Sequence, residues 1–171
     1  LTYYPSDMRL VIYSDASYLS ETHARSRAGG LHYLSSKGDP TATPPNGAVE
    51  AISAIIPTVV SAASEAETAA LFLNGKAGVP SRLTLADLGY PQSATPIISD
   101  NTTAIGFANN SVRLKRSKAI DMRYHWIRDR VERGEYSVAW VPGAENFADY
   151  FTKNHPAKHC RDVKSRYVGG K

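Results

Sequence analysis

The stretch Arg9-Leu10-Val11-Ile12-Tyr13-Ser14-Asp15-Ala16-Ser17 sets a carboxylate at the end of an apolar run rich in strand formers, and this constrains the fold more than any other feature. Asp15 falls where that strand is expected to stop. An open α/β sheet binds ligands in the crevice beyond the carboxyl ends of its parallel strands, so a terminal Asp there faces a ligand and not the core. Thr95-Pro96-Ile97-Ile98-Ser99-Asp100-Asn101 repeats the design, a short apolar run finishing in Ser-Asp. If the two strands are parallel neighbours, both carboxylates emerge at one edge of the sheet. Acids that close repel each other unless a cation lies between them, which is the first indication of a hard-metal site.

The 171 residues suit one domain of ordinary size, 1–171, with a core over about 9–153 and a basic tail over 154–171. A net charge of +4 permits a polyanionic partner without demanding one. Cys160 is the single cysteine, so no intrachain disulfide forms, and a reduced, intracellular, cytoplasmic setting is expected. No apolar run approaches a membrane span, so no membrane partner is expected. The chain starts at Leu1, from which we expect a segment of a longer polypeptide.

Arg27 to Leu34 reads as a second strand antiparallel to the first, with Gly29-Gly30 marking a bulge or a close backbone approach. A loop over Ser35 to Gly47 leads to a third strand, Val49 to Ile56. Ser64-Glu65-Ala66-Glu67 opens a helix expected to end near Gly75, and Leu83 to Leu88 reads as a separate short helix before the Asp100 strand. Taken alone, Ser64 and Glu67 have the spacing of a capping box, which would occupy Glu67 with the Ser64 amide. A short helix follows over Asn101 to Asn109, capped by Asn101 or Thr102.

Residues 113–133 hold eight Lys or Arg side chains against Asp121, Asp129 and Glu132, and Ile120, Tyr124, Ile127 and Val131 form an apolar stripe at helical spacing. Such a face is either laced by i,i+4 pairs such as Asp129 with Arg133, or is a phosphate-binding footprint. Glu135 to Pro142 is a last strand, and a helix is expected from about Glu145 to Thr152 with Asp149 on it. His155, His159 and Cys160 cluster loosely but lack the fourth ligand of a closed zinc site, and Gly169-Gly170-Lys171 is expected to fray.

Five phrases give the chain a resemblance to the ribonuclease H domain of copia-type LTR retrotransposon polyproteins. They are Tyr13-Ser14-Asp15-Ala16, Ser64-Glu65-Ala66-Glu67, Ser99-Asp100-Asn101, Lys118-Ala119-Ile120-Asp121-Met122-Arg123-Tyr124-His125-Trp126-Ile127-Arg128 and Ala148-Asp149-Tyr150-Phe151-Thr152-Lys153. The resemblance runs from about Leu10 to Lys153 and implies a ribonuclease H-like α/β fold. That fold is a five-stranded mixed sheet, three strands antiparallel and two parallel, flanked by helices. It implies a catalytic, metal-holding set of Asp15, Glu67, Asp100 and Asp149 with two Mg2+ ions, Mn2+ being able to substitute. It further implies hydrolysis of the RNA strand of RNA/DNA hybrids to 3'-hydroxyl and 5'-phosphate ends during reverse transcription. The reverse transcriptase domain of the same polyprotein would be the partner and a retrotransposon particle the setting.

Lys115, Arg116, Lys118 and Arg123 are the candidates for gripping phosphates, and Ser64 for donating to a phosphate from a helix N-terminus. The chain departs from the pattern in three places. Ser53-Ala54-Ile55-Ile56 is apolar where the family carries a Ser-Ser-Lys-Lys-Gln-like stretch, and Ala119 stands where a His is frequent. Val141 to Glu145 has no loop His, which implies slow turnover. The alternative reading is a catalytically impaired nucleic-acid-binding or tether domain on the same fold.

Overall fold

The computed structural model describes residues 1–38, 46–109 and 118–168, with the side chains of 118–121 and 124 left out of the description. One five-stranded mixed sheet, ordered β3-β2-β1-β4-β5, carries the molecule. The strands are β1 (Arg9–Glu21), β2 (Arg25–Ser35), β3 (Ala48–Ile55), β4 (Thr95–Ser99) and β5 (Tyr136–Trp140). The β1–β2 and β2–β3 pairs are antiparallel, whereas β1–β4 and β4–β5 are parallel. This is the sheet expected of a ribonuclease H-like fold, helices included: α1 (Ala63–Asp87), α2 (Thr102–Ala108), α3 (Lys118–Glu132) and α4 (Ala157–Val168).

The central strand is buried on both faces, and its alternation sends successive side chains into different cores. Leu10 and Ile12 join Ile97, Leu71, Leu85, Ala104 and Ile127 under α1, α2 and α3. Val11 and Tyr13 join Leu31, Tyr33, Ile98, Val141 and Ala148 on the opposite face. Continuing this period, Ser14 faces α1 and Asp15 faces the segment after β5. Gly29 and Gly30 make both approaches possible. A Cβ on Gly29 would lie 2.6 Å from the Ala148 carbonyl oxygen, and one on Gly30 would lie 1.8 Å from Asn74 Oδ1.

Asn74 organises the interior under Gly30. Its Nδ2 donates to Ser14 Oγ, the Gly29 carbonyl and the Ala70 carbonyl, so its Oδ1 is left to accept from His32 Nε2 at 3.3 Å. Burial lowers the His32 pKa to about 4, which keeps the ring neutral at pH 7.

Four local expectations are corrected. First, β1 does not stop at Asp15; it runs on to Glu21 because its antiparallel partner β2 continues beside it after the parallel partner β4 has ended at Ser99. Second, α1 is one helix of 25 residues through Gly75, Gly78 and Pro80, and absorbs the segment read as a separate helix. The glycines are contact points and not stops: Cβ atoms there would meet Ile127 and Trp126 at 3.0 Å and Ile12 at 2.7 Å. Pro80 removes one helical donor, and the buried Tyr136 hydroxyl donates to the nearby Gly75 carbonyl at 2.7 Å.

Third, Ser64 and Glu67 form no capping box: α1 starts at Ala63 with Ala62 as its cap residue, so Ser64 already lies inside the helix. The Ser61 amide and hydroxyl both donate to Glu65 Oε2 at 2.7 Å, while Glu67 accepts from the Ala16 amide. Fourth, the segment after β5 is not an α-helix but two 3₁₀ turns, Gly143–Glu145 and Phe147–Phe151, with extended Asn146 between them. The tail from 154 carries α4, whose Tyr167 packs edge-on against Phe147 and Phe151. The Thr2 amide ties the α4 end at Val168, and the Thr2 carbonyl accepts from Gly47 ahead of β3.

Substituting Gly30→Ala forces a methyl group into the Asn74 network, and the expected cost in a denaturant titration is roughly 1–3 kcal/mol. Wild-type stability in that variant would show that the helix and sheet are not held this closely.

Candidate metal centre

Parallel pairing of β1 with β4 registers Ile12 with Ile97 and Tyr13 with Ile98, and two residues further on the same register sets Asp15 beside Asp100. Glu67 reaches them from the first turns of α1. One carboxylate oxygen from each of Asp15, Glu67 and Asp100 lies within 4.8 Å of the others, and this is the one such cluster of potential metal ligands among the described residues. Asp15 is 4% exposed and Glu67 7%.

Burial comes first in setting their ionisation. It pushes the Glu67 carboxyl up to about 9, helped by the negative charges of Asp15 and Asp100, against a donated hydrogen bond from the Ala16 amide. Burial also pushes Asp15 up to about 6; the Thr152 hydroxyl draws it down, and Asp100 and Asp149 push it further up. Glu67 Oε2 is buried without a hydrogen-bond partner. A buried carboxylate oxygen left unsatisfied beside two further acids is compatible with a divalent cation at this site. Three carboxylates and no soft donor suit a hard divalent ion.

The segment after β5 closes the centre. Asn146, 4% exposed, directs its Nδ2 to the Ser14 carbonyl at 3.1 Å, Asp15 Oδ1 at 3.3 Å and Asp100 Oδ1 at 3.4 Å. The Thr152 hydroxyl lies 2.5 Å from Asp15 Oδ2 and donates to it. Gly143 lies so near Asp100 that a Cβ would stand 2.8 Å from Oδ2. Trp140 Nε1 donates to the Asp100 backbone carbonyl at 3.0 Å. Sequence reasoning passed over Asn146, Gly143 and Trp140. Thr152 and Lys153 sat in plain view inside the Ala-Asp-x-x-Thr-Lys phrase, without assigned roles.

Asp149 stands apart from the other three acids. It comes from the second 3₁₀ turn, near enough to raise the Asp15 and Glu67 pKa values, but outside the close cluster, with its carboxylate paired to Lys153. Ser64 is the second residue of α1, and its carbonyl accepts from Thr68 at 2.8 Å. Lys115 and Arg116 lie outside the described residues, and of Lys118 only the backbone is described. Arg123 lines a groove with Phe72, Lys76, Met122 and Trp126 between α1 and α3.

No protein-family model matches the chain. Over 151 residues, 88% of its length, it is 31% identical to the retrovirus-related Pol polyprotein from transposon TNT 1-94 of Nicotiana tabacum. The chain spans 11% of that polyprotein. In sequence the chain is similar to this retrotransposon polyprotein, and in fold to ribonuclease H domains. Solved structures agree with this on fold. The N-terminal ribonuclease H domain of rv2228c from Mycobacterium tuberculosis superposes with a TM-score of 0.58 at 13% identity, covering 93% of this chain and 97% of that one. The compost-derived LC11-RNase H1, in complex with an RNA/DNA hybrid, gives 0.59 at 13% identity, covering 84% and 93%. The ribonuclease H domain of prototype foamy virus gives 0.54 at 16% identity, covering 84% and 92%. Among the described residues, no helix is long and apolar enough to cross a membrane.

Raised carboxyl pKa values set the sign of the pH dependence. Between the unfolded and folded values the folded state holds the extra protons, so stability is greatest at low pH and is lost as pH climbs through the folded values. Without divalent metal, the melting temperature should therefore fall from about pH 4 towards pH 9, each acid contributing at most about 1.4 kcal/mol per pH unit. Glu67→Gln should flatten the upper half of that decline. A profile unchanged by Glu67→Gln would contradict the buried, protonated Glu67.

Proposed function

We propose that this domain is a metal-dependent endonuclease, of the copia-type branch, that hydrolyses the RNA strand of RNA/DNA hybrids during reverse transcription and leaves 3'-hydroxyl and 5'-phosphate ends. The observation that carries the reading is the convergence of Asp15, Glu67 and Asp100, with a buried Glu67 oxygen that no protein donor satisfies and that a cation would use. Asp15, Glu67, Asp100 and Asp149 would hold the ions, with Glu67 and Asp100 on the side of the leaving oxygen and Asp149 on the side of the attacking water. Two Mg2+ ions, or Mn2+ in their place, would supply an activated water and neutralise charge on the departing oxygen.

The protein's own part is positioning. Asn146 and the Thr152 hydroxyl fix the two Asp15 oxygens, and Asn146 holds Asp100 in the same grip. Gly143 keeps the loop against Asp100 free of a side chain. Affinity for the hybrid comes from phosphate contacts by Lys115, Arg116, Lys118 and Arg123, with Ser64 donating from the start of α1. Strand choice comes from the 2'-hydroxyls that the RNA displays across a shallow minor groove. The domain acts beside the reverse transcriptase of its own polyprotein, in an intracellular particle.

The direct test offers labelled RNA/DNA hybrid, duplex DNA and duplex RNA to the chain with Mg2+, Mn2+ or a chelator. Cutting of the hybrid alone is expected, lost in chelator and reduced by about a thousandfold in Asp100→Asn, which is about 4 kcal/mol of barrier. Tight hybrid binding with no cutting under any metal would replace this reading with a tether domain.

A further inference from the structure

The Ala-Asp-x-x-Thr-Lys phrase brings a cation of the chain's own, Lys153, beside the acidic cluster. Lys153 Nζ pairs with Asp149 Oδ1, and the Lys153 and Asp149 side chains are 55% and 32% exposed. The base of Lys153 is fixed by its neighbour Thr152, which is 3% exposed and bonded to Asp15. Its tip is exposed to solvent. The ammonium also lies within electrostatic reach of Asp15 and Asp100.

We propose that Lys153 is an internal counter-cation for Asp149, so that the centre admits its ions in order. On this account Asp15, Glu67 and Asp100 take the first ion unaided, whereas Asp149 takes a second only after the Lys153 ammonium has left it. This rests on the metal-dependent reading above. The asymmetry between the four acids carries it. Three converge and, among the described residues, no basic side chain forms an ion pair with any of them. The fourth is already neutralised, at a solvent-facing position where an ion pair is cheap to break.

Substrate provides a place for the displaced charge. A lysine ammonium is a mobile point charge with three donors, and a phosphate oxygen entering beside Asp15 competes with Asp149 for it. Exchange of Lys153 from carboxylate to phosphate frees Asp149 for a divalent ion, which brings one more positive charge than the ammonium it replaces and sets it against the incoming phosphate. The second ion is thereby tied to the presence of the nucleic acid, which guards a centre rich in acids against idle loading.

The test is Mn2+ binding to the full chain without nucleic acid, followed by electron paramagnetic resonance and calorimetry, for wild type, Lys153→Met and Lys153→Arg. Wild type should bind one ion well and a second weakly. Lys153→Met should bind the second at least about fivefold more tightly with the first unchanged, and Lys153→Arg should keep the wild-type isotherm. One ion bound alike in all three proteins, with no gain in Lys153→Met, would overturn the role of Lys153 and leave the metal centre standing. No Mn2+ bound by any of them would remove the metal centre and this proposal together.

Discussion

Like-charge confinement is the constraint to which the rest of the molecule answers. Three carboxylate oxygens lie within 4.8 Å of one another, two of them on buried residues and the third on half-buried Asp100, an arrangement that a folded chain sustains by protonation or by a cation. Each acid is delivered by a different element, Asp15 by the central strand, Asp100 from the end of its parallel neighbour, and Glu67 from α1. The packing under α1 and the packing under the 3₁₀ turns hold these elements in place from opposite faces of the sheet, so the repulsion is offset by apolar burial remote from the acids themselves.

Close approach is the device that makes this possible. Gly29 and Gly30, consecutive on β2, let the Phe147–Phe151 turn settle on one face and Asn74 of α1 on the other. Asn146 then spans the gap between sequence-distant parts, touching Asp15 across 131 residues of chain. The same segment supplies Thr152 to Asp15 and Lys153 to Asp149. Pattern and chemistry meet in this short stretch: a regular α-helix would carry Asn146, Asp149 and Lys153 on one stripe, whereas the break at Asn146 turns its amide into the sheet.

Strand-end acids were legible because a Ser-Asp after an apolar run needs no tertiary knowledge to be read. The sheet order was legible through the resemblance and the alternation of β1. Gly75, Gly78 and Pro80 misled, since the signs that punctuate an isolated helix become contact points once Ile12, Trp126 and Ile127 press against it. The start of α1 misled for a related reason: Ser64 and Glu67 have the spacing of a capping box, but the helix begins one residue before Ser64, and Glu67 accepts from the Ala16 amide of the neighbouring strand instead. Asn146 and Gly143 left no local signal, because their partners are on strands far away in sequence. The basic residues read as a phosphate footprint are divided, with Arg123 on a described groove and Lys115 and Arg116 outside the described residues.

The most direct measurement is an anomalous difference map from crystals of the chain grown with Mn2+. The account predicts a peak enclosed by Asp15, Glu67 and Asp100, with Glu67 Oε2 turned onto the ion. A map with no peak there, or Mn2+ held elsewhere while Glu67 Oε2 keeps its buried, unpartnered place, would contradict it.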